Sequence, residues 1–253
     1  MSLGVAYCKV SISPIRLEPG DSAEMVSQLL FGEVVNVLEK EEKWWKIRTF
    51  SDNYEGWVDP KQIQVLTKKE VNRWLDGLSY ERSLTRKIKS PRGIQTIVKG
   101  SFVPFGLENN FIIGHDEYTF EDSSSALKAN SPSEIALEYL NAPYLWGGKT
   151  PFGVDCSGLV QAVFRFLDFN LPRDAWQQNE YGVSVDFEEL KSGDVAFFSN
   201  DKGKVTHTGI IIEDKKIIHA SGFVRIDEMD KNGIIHDTHG YHTHYLSSIK
   251  RMI

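Results

Sequence analysis

Asp155-Cys156-Ser157-Gly158-Leu159-Val160, preceded by Tyr144-Leu145-Trp146-Gly147-Gly148, is the stretch on which the reading of this chain turns. Asp155 is a good helix N-cap, and Leu159, Val160, Val163, Phe166 and Leu167 then recur at helical spacing. The helix has to stop before Pro172. Cys156 therefore falls in a first helical turn, where the macrodipole and unsatisfied N–H groups favour a thiolate and lower its pKa from a free value of about 8.5. The same N–H groups can receive the oxyanion of a tetrahedral intermediate. Gly158 allows another element to approach the helix start closely. Taken alone, Cys156 also fits a buried structural thiol.

Two histidines tip that balance. His207 opens a strand-like run, Thr208-Gly209-Ile210-Ile211-Ile212, and His219 lies near the end of the next, with Glu213-Asp214-Lys215 between them. An odd loop puts both imidazoles on one sheet face; an even loop does so only with a bulge. On one face, His207 can take the thiol proton while His219 fixes its tautomer and steadies its charge.

Outward from this region, residues 131–253 read as helices followed by an antiparallel sheet, an α+β arrangement. Ser131-Pro132-Ser133-Glu134 starts one helix, Cys156 starts another, and 194–198, 208–212 and 216–220 are strands. Residues 1–66 hold about five short β-rich segments, with Pro60 expected to block further pairing, so an all-β barrel is predicted there. A connecting helix over 68–78 follows, then strand-like segments at 95–105 and 111–120 that are expected to pair. The boundaries drawn are 1–66, 67–128 and 129–253.

Several segments together resemble the NlpC-type papain-like cysteine peptidases. They are Tyr-x-Trp-Gly-Gly, Asp-Cys-Ser-Gly-Leu-Val, Leu171-Pro172-Arg173-Asp174, Gly193-Asp194, His-x-Gly-Ile and Ile-His-Ala. The likeness covers roughly residues 131–253. Residues 1–66, with Gly-Glu-x-Val-x-Val, Trp-x-Lys-Ile and Gly-Trp-Val, resemble a bacterial SH3-like domain, and 67–128 a second, degenerate one. The whole resembles γ-D-glutamyl-L-diamino-acid endopeptidases, which cut murein peptides. The resemblance implies a papain-like catalytic domain behind N-terminal SH3-like barrels, with Cys156 as nucleophile, His207 as base and His219 as orienting residue. It also implies Tyr144 beside the thiolate, helping the oxyanion.

By the same resemblance the front domain walls the active site and recognises a free N-terminal L-Ala. Glu24 would pair with its ammonium group and Tyr54 would hydrogen-bond beside it; Glu24 also fits a solvated surface carboxylate. Asp155 and Ser157 would line the same pocket. Arg173 and Asp174 either hold substrate charges or pair with each other. Where family members often carry serine after Arg-Asp, this chain has Ala175, a departure that puts one substrate hydrogen bond and the fine specificity in doubt.

Composition bounds the rest. A net charge of −6 with no basic stripe argues against a nucleic-acid partner. Two distant cysteines make no disulfide framework, no signal-like start is present and no apolar run nears the roughly 18 residues of a membrane span, so a cytoplasmic protein is expected, with export open if the N-terminus has been trimmed. His236, His239, His242 and His244 are read as a surface cluster rather than zinc ligands, and neither metal nor cofactor is expected. The alternatives are an amidase or acyltransferase on the same fold, or a catalytically silent wall-binding protein. Oligomeric state and the preferred diamino acid are not legible.

Overall fold

The β-rich alternation of the first 66 residues folds into seven short strands in the computed structural model, which describes residues 2–106, 109–123, 129–236 and 240–253. They are β1 (Gly4–Cys8), β2 (Ile12–Arg16), β3 (Met25–Leu30), β4 (Val34–Lys40), β5 (Trp45–Thr49), β6 (Glu55–Val58) and β7 (Ile63–Leu66). Their order in the sheet is β3-β2-β6-β5-β4-β1-β7. Ala6, Cys8, Ile15, Leu29, Val35, Val37, Ile47 and Val58 face inward as one buried cluster, as period-two alternation requires. Pairing does not end at Pro60. Pro60–Gln62 forms a 3-10 turn capped by Asp59, and β7 then lies against β1 with Val5 opposite Leu66. A proline at the first position of such a turn forfeits only an N–H that nothing needs, so it redirects the chain without stopping the sheet.

Helix α1 (Lys68–Leu75) opens with a capping box between Thr67 and Glu70 and buries Val71 and Trp74. After it come β8 (Leu78–Tyr80), β9 (Thr85–Ser90), β10 (Gly93–Val98), β11 (Phe102–Pro104), β12 (Asn110–Ile113) and β13 (Asp116–Phe120). Segments 95–105 and 111–120 do not pair with each other. The first divides into β10, which pairs with β9, and β11, which pairs with β8. The second is itself a hairpin of β12 and β13, because Gly114-His115 makes a tight turn inside it. Trp74, Ile88, Ile97, Phe111 and Tyr118 share one core with Tyr7, Phe31 and Leu66. The three sheets accordingly belong to one compact unit, Met1–Lys128.

The second unit is Ala129–Ile253. It contains α2 (Pro132–Leu137), β14 (Lys149–Thr150), β15 (Gly153–Val154), α3 (Cys156–Arg165), α4 (Ala175–Gln178), β16 (Val183–Ser184) and β17 (Val195–Ser199). Strands β18 (Val205–Glu213), β19 (Lys216–Ser221), β20 (Phe223–Asp230), β21 (Gly233–Ile235) and β22 (His242–Arg251) complete it. The antiparallel order is β16-β22-β17-β18-β19-β20-β21, and β22 also pairs with β21, so six strands close into a barrel. Closure needs Gly233, where a Cβ would lie 1.9 Å from the His244 carbonyl oxygen. Ala196, Phe198, Ile211, Ile217, Met229, Ile234 and Ile249 fill the interior. Every residue of α3 is buried, and the helix packs on β18 and β19. This is the α+β order read from the sequence. Among the described residues no helix is long and apolar enough to cross a membrane.

Candidate active site

Cys156 is the first residue of α3, and Asp155 caps the helix by accepting the Gly158 N–H at 2.7 Å through Oδ1. The other carboxylate oxygen, Oδ2, accepts the Gly147 N–H at 2.7 Å, which ties the Trp-Gly-Gly loop to the helix start. Arg173 closes a bidentate pair on Asp155 at 3.0 and 2.5 Å and donates to Ser157 Oγ at 2.8 Å. Asp155, Ser157 and Arg173 are all buried, so this polar knot sits behind the nucleophile and fixes its backbone. Gly158 is required for the fit, since a Cβ there would lie 2.2 Å from the Gly148 carbonyl oxygen. Asp174 precedes α4, whose first residue Ala175 is buried, and Gln178 of α4 donates to the Ser157 carbonyl at 3.0 Å.

The thiol does not behave as an exposed helix terminus would make it. Burial first, and then the Asp155 carboxylate, push Cys156 up to about 11. The N–H groups of Ser157 and Thr208 and the charge of Arg173 pull the other way and are outweighed. The expectation of a lowered pKa fails because the sulfur is desolvated, a cost that a partial charge at a helix end does not offset. At neutral pH the group is a thiol that needs a base.

That base is close in the fold, because the Thr208 N–H that points at the sulfur follows His207 in β18. The β18–β19 turn, Asp214-Lys215, is even, with Glu213 opposite Lys216. A bulge between Ile211 and Glu213 corrects the register and sets Gly209 opposite His219. His207 and His219 therefore share the face that also carries Phe198 and Ile217, and His207 Nε2 lies 2.8 Å from His219 Nδ1. Burial, with His219 and His244 nearby, holds His207 well below the ordinary imidazole range, so it is neutral and able to accept a proton at pH 7. Tyr144, half-buried, is pushed up to about 12 by burial and by the nearby Cys156 and Asp155, and stays a donor at neutral pH.

Residues 141–243 match the NlpC/P60 family, and residues 15–63 match the bacterial dipeptidyl-peptidase SH3 domain. The chain carries an NlpC/P60 cysteine peptidase domain. Over 78% of its length the chain is 26% identical to a gamma-D-glutamyl-L-lysine dipeptidyl-peptidase of Bacillus cereus, spanning 67% of that protein. It is 27% identical to dipeptidyl-peptidase 6 of Lysinibacillus sphaericus over 81% of this chain and 83% of that one. A crystal structure of an NlpC/P60 family protein from Bacillus cereus superposes with a TM-score of 0.79 over 98% of this chain and 99% of that one; at 20% identity this shows a common fold.

Sequence reading missed Asp227 and misplaced His244, one residue beyond the matched 141–243. Asp227 Oδ2 lies 2.8 Å from His219 Nε2, one strand farther along the sheet. The alternation Arg225-Ile226-Asp227 carries the signal, since it puts both charges on the histidine face. His244 is not part of a surface cluster: its ring stacks on His207 at 4.1 Å between centroids, and burial first, then His219, lower it to about 4. The pairing of β22 with β17, which on its other side pairs with β18, carries it there, a contact far apart in sequence. His242 pairs with Asp230 at 2.9 Å and His236 stacks on Tyr241, while His239 lies outside the described residues. Among the described residues no cluster of three or more His, Cys, Asp or Glu side chains could hold a metal ion. In the SH3 unit, Glu24 is exposed just before β3, and Tyr54 is half-buried in the turn before β6, its N–H held by Thr49 Oγ1 at 2.9 Å.

Proposed function

We propose that the chain hydrolyses the γ-D-glutamyl–diamino-acid bond of murein peptides that carry a free N-terminal L-Ala. The observation that carries the chemistry is the 2.8 Å His207–His219 bond on the strand whose next N–H faces the Cys156 sulfur. His207 takes the thiol proton as sulfur attacks the γ-carbonyl. The Tyr144 hydroxyl and the backbone N–H groups at the start of α3 stabilise the developing oxyanion. The imidazolium then protonates the leaving amine of the diamino acid, and water, deprotonated by His207, releases L-Ala-γ-D-Glu and restores the thiol.

The substrate class follows from the relatives' activity as gamma-D-glutamyl-L-lysine dipeptidyl-peptidases. Selection of a free amino terminus is assigned to the SH3 unit, through the Glu24 carboxylate and the Tyr54 hydroxyl. A carboxylate desolvated by bound substrate and left without an ammonium partner is costly, so a blocked terminus is rejected. Incubation with L-Ala-γ-D-Glu-L-Lys, L-Ala-γ-D-Glu-diaminopimelate and their N-acetyl forms, with products identified by mass spectrometry, tests this. Release of the dipeptide from the free peptides alone is expected. Equal cleavage of the acetylated peptides would remove the gate from the account.

A further inference from the structure

Asp227 ends a line of three side chains on one sheet face. Its Oδ2 lies 2.8 Å from His219 Nε2, and His219 Nδ1 lies 2.8 Å from His207 Nε2. Its Oδ1 accepts from Arg225 Nε at 3.0 Å and from Arg225 Nη2 at 2.7 Å. The Asp227 and His219 side chains are 8% and 1% exposed. Burial opposes the charged carboxyl, but the bonds from His219 and Arg225 hold it below the ordinary carboxylate range. At neutral pH it is an acceptor only.

We propose that Asp227 is a positioning residue that fixes which nitrogen of each histidine carries the proton, and so leaves the Nδ1 lone pair of His207 to take the proton of Cys156. This rests on the cysteine mechanism above. A carboxylate only accepts, so His219 Nε2 carries hydrogen. A singly protonated His219 then has a bare Nδ1 that accepts, so His207 Nε2 carries hydrogen. That leaves Nδ1 as the basic nitrogen of neutral His207. When it takes the thiol proton, no other proton has to move: Nε2–H goes on donating to His219, and the carboxylate faces the new charge through one ring.

Arg225 makes the consequence sharp. In Asp227→Asn the guanidinium, a permanent donor, still demands an oxygen, so the amide NH2 is turned toward His219. His219 Nε2 must then be bare, its Nδ1 carries hydrogen, and His207 is forced to hold its proton on Nδ1. The base is lost with the heavy atoms in place.

Asp227→Asn is expected to lower kcat by on the order of 10³- to 10⁴-fold, the scale of a wrong histidine tautomer, with KM changed less than about threefold. Adding Arg225→Ala lets the amide rotate and should recover at least roughly tenfold, although Arg225→Ala alone costs activity; a residue acting only through packing gives no such rescue. The ¹⁵N spectrum of histidine-labelled, substrate-free protein at neutral pH reads the tautomers directly. Hydrogen on Nε2 of both His207 and His219 in the wild type, moving to Nδ1 in Asp227→Asn, is the expected result. This readout is independent of the substrate, and the wild-type spectrum decides even if the variant does not fold. Hydrogen on Nδ1 of wild-type His207, a doubly protonated His219, or a kcat loss without rescue by Arg225→Ala would overturn the proposal.

Discussion

A thiol held up to about 11 beside a histidine held below its ordinary range forms a neutral pair rather than a preformed ion pair. Alkylation of Cys156 by iodoacetamide should therefore climb steadily as pH rises toward 11, with no fast plateau in the acid range. Cys8 should react far more slowly, because it is fully buried in β1 and its thiol donates to the Val10 carbonyl at 3.3 Å. Mass spectrometry of the two cysteine peptides across pH measures both, and rapid pH-independent labelling of Cys156 at pH 5 would contradict the neutral pair. The acid limb of kcat/KM follows from the same shift. Protonation of His207 abolishes the base, and since its pKa is depressed, activity should persist as pH falls through about 6.5 and fail only below it.

At the scale of elements, the helix start is held by close packing as much as by its cap. Gly158→Ala would thrust a Cβ to 2.2 Å from the backbone oxygen of Gly148, which cannot move without dragging the Trp-Gly-Gly loop. It should destabilise the protein by about 1–3 kcal/mol, the usual range for overpacking, and lower the Tm seen by calorimetry. An unchanged Tm would mean that the loop is not tied to the helix as described. This helix, its cap and its glycine were legible in sequence because all three act within a few residues. The strands carrying the histidines were legible too, but their faces were not: an even two-residue turn separates them, and only the bulge between Ile211 and Glu213 puts both rings on one side. A bulge leaves no mark in a run of isoleucines. Asp227 lies across the adjacent hairpin from His219 and its signal was the Arg225-Ile226-Asp227 alternation, whereas His244 escaped because it reaches His207 through the long-range pairing of β22 with β17. Likewise 111–120 hid a hairpin, because Gly114 interrupts a run that otherwise alternates.

In the whole molecule the NlpC/P60 unit carries the chemistry, and the proposed selection of the amino terminus falls to the SH3 unit. Glu24→Gln should lower kcat/KM for the free peptide by roughly 2–5 kcal/mol, the range for removing one partner of a desolvated charge pair, while hydrolysis of any N-acetylated peptide that is still cut is unaffected. Equal losses on both substrates would place Glu24 in folding rather than recognition. Turnover should also withstand prolonged EDTA treatment, since every step runs through side chains and water; a loss restored by added zinc would contradict that. The most direct test of the central claim is an acid quench during turnover of L-Ala-γ-D-Glu-diaminopimelate, followed by mass spectrometry of the intact and digested protein. An L-Ala-γ-D-Glu acyl group attached through a thioester to Cys156 is expected, with neither adduct nor product from Cys156→Ala. Turnover by Cys156→Ala, or an adduct that reports cleavage at a different bond, would contradict it.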